Sequence, residues 1–213
     1  ARCRDILSEL SHSPEEGDEV FARASISVFI EEVASPHYGM GVGVSLKHIG
    51  DKALEPQVWR RPEILHGLSS FVENAVDFAH SHVAIITDWD RDTISVTIYD
   101  NGPGFAPEVL ARLGEPYVTT RPQNRNREDA LRQTESGIGG GMGLGFFIAK
   151  TLLERTGGLV SVANHGQMQH SELNAHGFDF MRGAMVKISW PRTAIEVHTD
   201  RGTEIERRVS DEV

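Results

Sequence analysis

One cysteine, Cys3, is all that 213 residues hold. That excludes an internal disulfide framework and favours a reducing compartment. A basic excess is also missing, since the formal charge is −10. Nucleic-acid binding wants a basic face against phosphate, so no such role is expected. No apolar run is long enough to cross a bilayer. The opening ARCRDILSEL does not read as a signal peptide. There is no internal repeat and no initial Met, and the pattern opens mid-stride, as expected of a piece of a longer protein. What is present is an apolar fraction of 39%, enough for a buried core.

Periodicity divides the chain. Cys3, Ile6, Leu7 and Leu10 recur as the last turns of a helix over 1–12, followed by a linker over 13–24. SISVFIEEVASPH reads as a helix ended by Pro36, and VGVSLKHI as a strand with Val42, Val44 and Leu46 on one face. RRPEILHGLSSFVENAVDFAHSH is the strongest helix, with Pro62 suited to its first turn. Ile64, Leu65, Leu68, Phe71, Val72, Ala75, Val76 and Ala79 fall on one arc, and Ser70, Asn74 and Asp77 on a narrow opposite stripe. VAIITDWDRDTISVTIYD is a hairpin turning at WDRD. Its last residue, Asp100, shares the face of Ile94, Val96 and Ile98. A carboxylate in register with core residues needs a partner, or it costs several kcal/mol.

A long polar stretch follows, rich in Gly and Pro, with a short helix at PEVLARL. Loops of this length inside a domain are lids or lack order. LGFFIAKTLLERTGG reads as a helix capped by Gly157 or Gly158. LVSVAN and GAMVKISWP close as strands, and the charged tail from Thr193 is expected to fray.

The loop GIGGGMGLG before the late helix holds the chemistry. Glycine loops entering a helix bind phosphate through free amides and the positive end of the helix dipole. No lysine stands where a Walker A loop needs one, and no frame of 137–145 gives the dinucleotide fingerprint after a strand. What remains is three motifs in order: Asn74, Ala75 and Asp77 on a helix; Asp100, Gly102 and Gly104 after a strand; and Gly141-Met142-Gly143-Leu144-Gly145 entering a helix. Together they resemble the N, G1 and G2 boxes of the GHKL ATP-binding superfamily, and within it the catalytic domain of bacterial sensor histidine kinases. CRDIL, ENAVDFA and GEPYVTTRP are similar to the RegB/PrrB/ActS redox-responsive kinases.

That resemblance covers about residues 25–192. It implies an α/β two-layer sandwich: a mixed sheet of about five strands, helices on one face, and an ATP lid over 101–140. It implies ATP and Mg²⁺ as ligands. Asp100 would accept a hydrogen bond from the adenine amino group. Guanine would set a carbonyl against it, acceptor on acceptor. Asn74 would ligate Mg²⁺, which takes few protein ligands beside phosphate oxygens and water. Asp77 would border the nucleotide or be a plain surface charge. Gly102 and Gly104 would let backbone approach the purine. Gly139, Gly141, Gly143, Leu144 and Gly145 would end the lid and cradle phosphate. Tyr117 would be a hinge aromatic, and Arg121 either reaches the γ-phosphate or is simply exposed. Cys3, between Arg2 and Arg4, is placed to favour the thiolate; the resemblance gives it a redox role through an intermolecular disulfide. His165, His170 and His176 lack the tight spacing of a metal site.

Two departures refine the expectation. Many superfamily members carry Glu or Asn four residues before the N-box asparagine, where this chain has Ser70. In the ATP-hydrolysing branches that Glu activates water, so its absence argues against a self-contained ATPase. Nor does any string resemble the H-E-x-x-x-P-L box of a phospho-accepting histidine. The resemblance thus implies a kinase fragment lacking its acceptor and working with its own dimerisation/histidine domain in a full-length homodimer. It would pass phosphate to the receiver domain of a response regulator, as a cytoplasmic part of an inner-membrane protein anchored through its missing N-terminal part. A serine kinase of the same superfamily, or a degenerate non-catalytic module, are the alternatives.

Overall fold

The computed structural model describes residues 22–110, 144–164, 178 and 181–197. The helix expected over 1–12 and the tail beyond Val197 lie outside these residues, as does most of the expected lid. A short strand, β1 (Arg23–Ser25), leads into helix α1 (Ile26–Ala34). Ser25 caps α1 by accepting from Val28 N at 3.5 Å. Pro36 lies in the 3₁₀ turn Ser35–His37, where it prevents α1 from continuing. Strand β2 (Gly43–His48), a short strand β3 (Gln57–Trp59) and helix α2 (Pro62–Phe78) follow. Then come β4 (His82–Trp89), β5 (Thr93–Asp100), a short helix α3 (Pro107–Leu110), α4 (Leu144–Arg155), β6 (Leu159–Asn164), β7 (Ala184–Pro191) and the single turn α5 (Arg192–Ile195).

Five strands form one sheet in the order β2-β4-β5-β7-β6. β2 runs parallel to β4, and every other pair is antiparallel. This is the mixed five-stranded sheet that was expected. The hairpin turns where Asp90 Oδ1 accepts from the amides of Asp92 and Thr93, both at 2.8 Å, which sets the pairing of Trp89 with Ile94. Alternation then decides the faces. Val83, Ile85, Ile94, Val96, Ile98, Val186, Ile188 and Trp190 join one core with Phe29, Ile30 and Val33 of α1, Leu68, Phe71 and Val72 of α2, and Leu153 of α4. The opposite face carries a smaller apolar cluster of Ala84, Ile86, Tyr99 and Met185 with Met181 and Phe178.

Helices α2 and α4 approach closely because of Gly67. A Cβ there would stand 2.5 Å from Leu153 Cγ. Gly157, with φ +86°, ends α4: its amide bonds Glu154 O at 3.0 Å, and the Gly158 amide bonds Leu153 O at 3.1 Å.

Two features depart from expectation. The chain beyond Thr193 does not fray at its start. Ile195 is buried in the main core, Glu196 bridges to Val58, and Val197 N donates to Gln57 O at 2.7 Å. Burying Ile195 outweighs the charged composition around it. The pairing of β1 with β3 was also not foreseen, since a three-residue strand carries no readable period.

Candidate functional site

The described parts of the three motif regions, around Asn74, residues 100–104 and Gly145, lie on or against helix α2. Helix α2 starts at Pro62, whose missing N–H costs nothing in a first turn. Its apolar arc turns inward, leaving Ser70 and Asn74 half-buried and Asp77 exposed. The first turn of α4 reaches this stripe: a Cβ on Gly145 would lie 3.9 Å from Ser70 Oγ, one turn before Asn74. Phe146, next along α4, packs against Phe71 of α2 with ring centroids 4.9 Å apart. It also meets Phe105 edge-on at 6.3 Å. Three aromatics, one beside each motif, thus hold the site together. Their signal in the sequence was position alone, since Phe105 and Phe146 each follow a motif glycine directly.

Asp100 ends β5 on the helix-facing side and is buried. Both of its hydrogen bonds reach one oxygen. Oδ1 accepts from Gly102 N at 2.8 Å and from Ala184 N at 3.1 Å. Among the described residues nothing else donates to this carboxylate, so Oδ2 is left for an outside donor. Burial pushes the Asp100 carboxyl above the ordinary aspartate range, against the pull of the two amides and of the nearby charge of His80.

The glycines after Asp100 serve the protein's own packing. A Cβ on Gly102 would stand 2.2 Å from Phe78 O, at the end of α2. Gly104 has φ +74°, and a Cβ there would stand 2.7 Å from Asn164 Oδ1. Asn164 itself was not singled out in the sequence. Its Oδ1 accepts from Phe105 N and its Nδ2 donates to Phe105 O, both at 2.7 Å. Asn101, also passed over, accepts from the amides of Ser81 and His82, each at 3.0 Å, and donates to Ser81 Oγ at 2.9 Å. The loop after β5 is therefore pinned to the end of α2 and to β6.

Tyr117, Arg121, Gly139, Gly141, Gly143 and Cys3 lie outside the described residues, as do His165, His170 and His176. Leu144 opens α4. Among the described residues no cluster of three His, Cys, Asp or Glu side chains could hold a metal ion. Magnesium does not need one: a single amide oxygen with phosphate and water completes its shell. Asn74, half-buried on its stripe with Asp77 one turn on, suits that demand. Among the same residues no helix is long and apolar enough to cross a membrane.

Residues 60–206 match the family of histidine kinase-, DNA gyrase B-, and HSP90-like ATPases. The sensor histidine kinase RegB of Cereibacter sphaeroides is 38% identical over 193 residues, which is 89% of this chain and 40% of that protein. The sensor histidine kinase CpxA of Escherichia coli is 32% identical over 93 residues, covering 44% of this chain and 18% of CpxA. The chain thus spans less than half the length of these relatives. Among solved structures, the mycobacterial sensor histidine kinase MprB superposes with a TM-score of 0.54 at 16% identity, covering 79% of this chain and 95% of MprB. Full-length ShkA in complex with AMPPNP gives 0.55 at 19% identity, covering 91% of this chain and 34% of ShkA. These two likenesses concern the fold, while the match over residues 60–206 settles the lineage. The chain belongs to the family of histidine kinase-, DNA gyrase B-, and HSP90-like ATPases.

Proposed function

We propose that this chain is the ATP-binding catalytic domain of a two-component sensor histidine kinase of the RegB type. It donates the ATP γ-phosphate to a histidine on a separate helical dimerisation domain, for relay to the receiver domain of a response regulator. The observation that carries the reading is Asp100, a buried carboxylate with one oxygen saturated by backbone and the other left over. The free oxygen offers an acceptor beside a saturated one, and the exocyclic amine of adenine is a donor of the right kind. The likeness to RegB over 89% of the chain supports the kinase assignment within the family.

Each residue then has a task. Asp100 reads the purine edge, while Gly102 and Gly104 carry the loop that flanks it. Asn74 holds Mg²⁺ through its amide oxygen, and Asp77 borders the nucleotide through water. Bound Mg²⁺ neutralises charge on the phosphate oxygens. Gly139, Gly141, Gly143, Leu144 and Gly145 cradle phosphate at the start of α4, where the helix dipole favours negative charge. Tyr117 and Arg121 serve the lid hinge and the γ-phosphate. Ser70 is no general base, which suits an enzyme whose acceptor is a histidine and not water. In the parent protein this domain lies on the cytoplasmic side of the inner membrane, and Cys3 tunes activity through an intermolecular disulfide.

The test is a calorimetric titration of the chain with a non-hydrolysable ATP analogue, with and without Mg²⁺. Binding that needs Mg²⁺ is expected, and no binding in either condition sinks the proposal. Labelled ATP should leave the chain alone unlabelled. Added dimerisation domain should acquire acid-labile phosphate. Acid-stable phosphoserine on a partner would move the assignment to the serine kinases of the superfamily.

A further inference from the structure

Gly183 stands just before β7, in none of the three sequence motifs. Its surroundings are unusually tight. A Cβ at this position would lie 2.0 Å from Asp100 Oδ1, 2.7 Å from Asp100 O and 2.7 Å from Gly102 N. Its own amide donates to Asp100 O at 3.0 Å. The next amide, Ala184 N, donates to Asp100 Oδ1 from 84 residues away in sequence. The backbone of 183–184 thus lies directly against the Asp100 carboxylate, leaving no room for any side chain.

From this packing we infer that Gly183 is a positioning residue for purine recognition: it lets the β7 backbone clamp Asp100 so that Oδ1 is held inward and Oδ2 alone faces the ligand. The inference rests on the reading of Asp100 given under Proposed function. The mechanism is steric and directional. One amide from the loop after β5 and one from the start of β7 converge on one oxygen, which fixes the rotation of the carboxylate plane. A freely turning carboxylate would present either oxygen and would lose the geometry that discriminates among purines. Only glycine permits this. A methyl group at 2.0 Å must push the carboxylate aside or lift the start of β7, since the other near atoms are backbone.

The experiment compares ATP with purine riboside triphosphate, which lacks only the exocyclic amino group, by calorimetry with Mg²⁺. The unsubstituted chain is expected to prefer ATP by roughly ten- to hundredfold, the worth of one hydrogen bond to a charged acceptor. Folded Gly183→Ala is expected to bind both nucleotides with nearly equal affinity. A general loosening of the domain would weaken both together and keep the ratio, so a folded Gly183→Ala with the original preference overturns the inference while leaving the Asp100 reading intact. Equal binding of both nucleotides by the unsubstituted chain overturns the Asp100 reading itself.

A second measurement needs no substitution. In an acid titration followed by NMR, the Gly102 and Ala184 amides should shift with one common midpoint, that of Asp100. An Ala184 amide that ignores the midpoint seen at Gly102 overturns the clamp, even if Gly183→Ala fails to fold.

Discussion

Asn164 grips Phe105 by both of its backbone polar groups: one amide side chain accepts from the N–H and donates to the carbonyl, each at 2.7 Å. Side chain and backbone lie 59 residues apart. The pair ties the end of β6 to the loop that leaves β5, and so fixes the root of the segment running on toward α3.

Replacing Asn164 with Ala removes both bonds and strands two partly buried backbone groups. A loss of about 1–3 kcal/mol in unfolding free energy is expected, measured by urea denaturation. Affinity for a non-hydrolysable ATP analogue should fall with it. Asn164→Asp keeps the acceptor and loses the donor, so it should lie between the two.

Asp100→Asn separates stability from recognition. Burial raises the folded pKa of this carboxyl, so the folded state holds its proton more tightly than the unfolded chain does. Asp100 therefore favours the fold at acid pH, and that contribution is lost as pH rises from the ordinary aspartate value through the raised one. Asn carries no such penalty and can still accept from Gly102 and Ala184. Its stability at neutral pH should be unchanged or higher by about 1 kcal/mol, with a flatter pH profile. Its preference for ATP over purine riboside triphosphate should be lost.

Asn74→Ala tests the metal. The side chain is half-buried on the stripe away from the core, so little stability should be lost. Calorimetry should show Mg²⁺-dependent nucleotide affinity reduced roughly tenfold or more, while any Mg²⁺-independent binding persists. Equal Mg²⁺ dependence in both proteins would remove Asn74 from the metal's shell.

Glu55 gives an acid-side signature of its own. Burial works to raise its pKa, but hydrogen bonds from Lys52 and from the hydroxyl and amide of Ser27 prevail and bring it down to about 2. Lys52 is exposed, so its share is screened and Ser27 matters more. The lowered pKa means this stabilisation is present above the ordinary glutamate value. It is lost as pH falls from about 4.5 toward about 2. Glu55→Gln should cost roughly 1 kcal/mol at neutral pH and should remove that slope in thermal melts taken across the window.

Thr87 offers a gain. Its hydroxyl is buried on β4 with no hydrogen-bond partner. Thr87→Val keeps the shape and removes the orphan group, so stability should rise by about 1 kcal/mol in urea denaturation without change in nucleotide affinity.

Much of this protein is local in origin. The apolar arc of α2, the alternation of β4 and β5 and the turn at Asp90 are written in short spacings, because helices and hairpins are stabilised by residues a few positions apart. The order of the three motifs is likewise a property of the chain, and it was enough to suggest the family and a mixed sheet. The clamp of Gly183 and Ala184 on Asp100, the grip of Asn164 on Phe105 and the burial of Ile195 have no such trace. Each joins positions far apart along the chain, through contacts that exist only once β7 lies between β5 and β6. Strand alternation could mark Asp100 as a carboxylate needing a partner. Which of its oxygens was spoken for, and by which backbone, depended on distances that only the folded sheet defines.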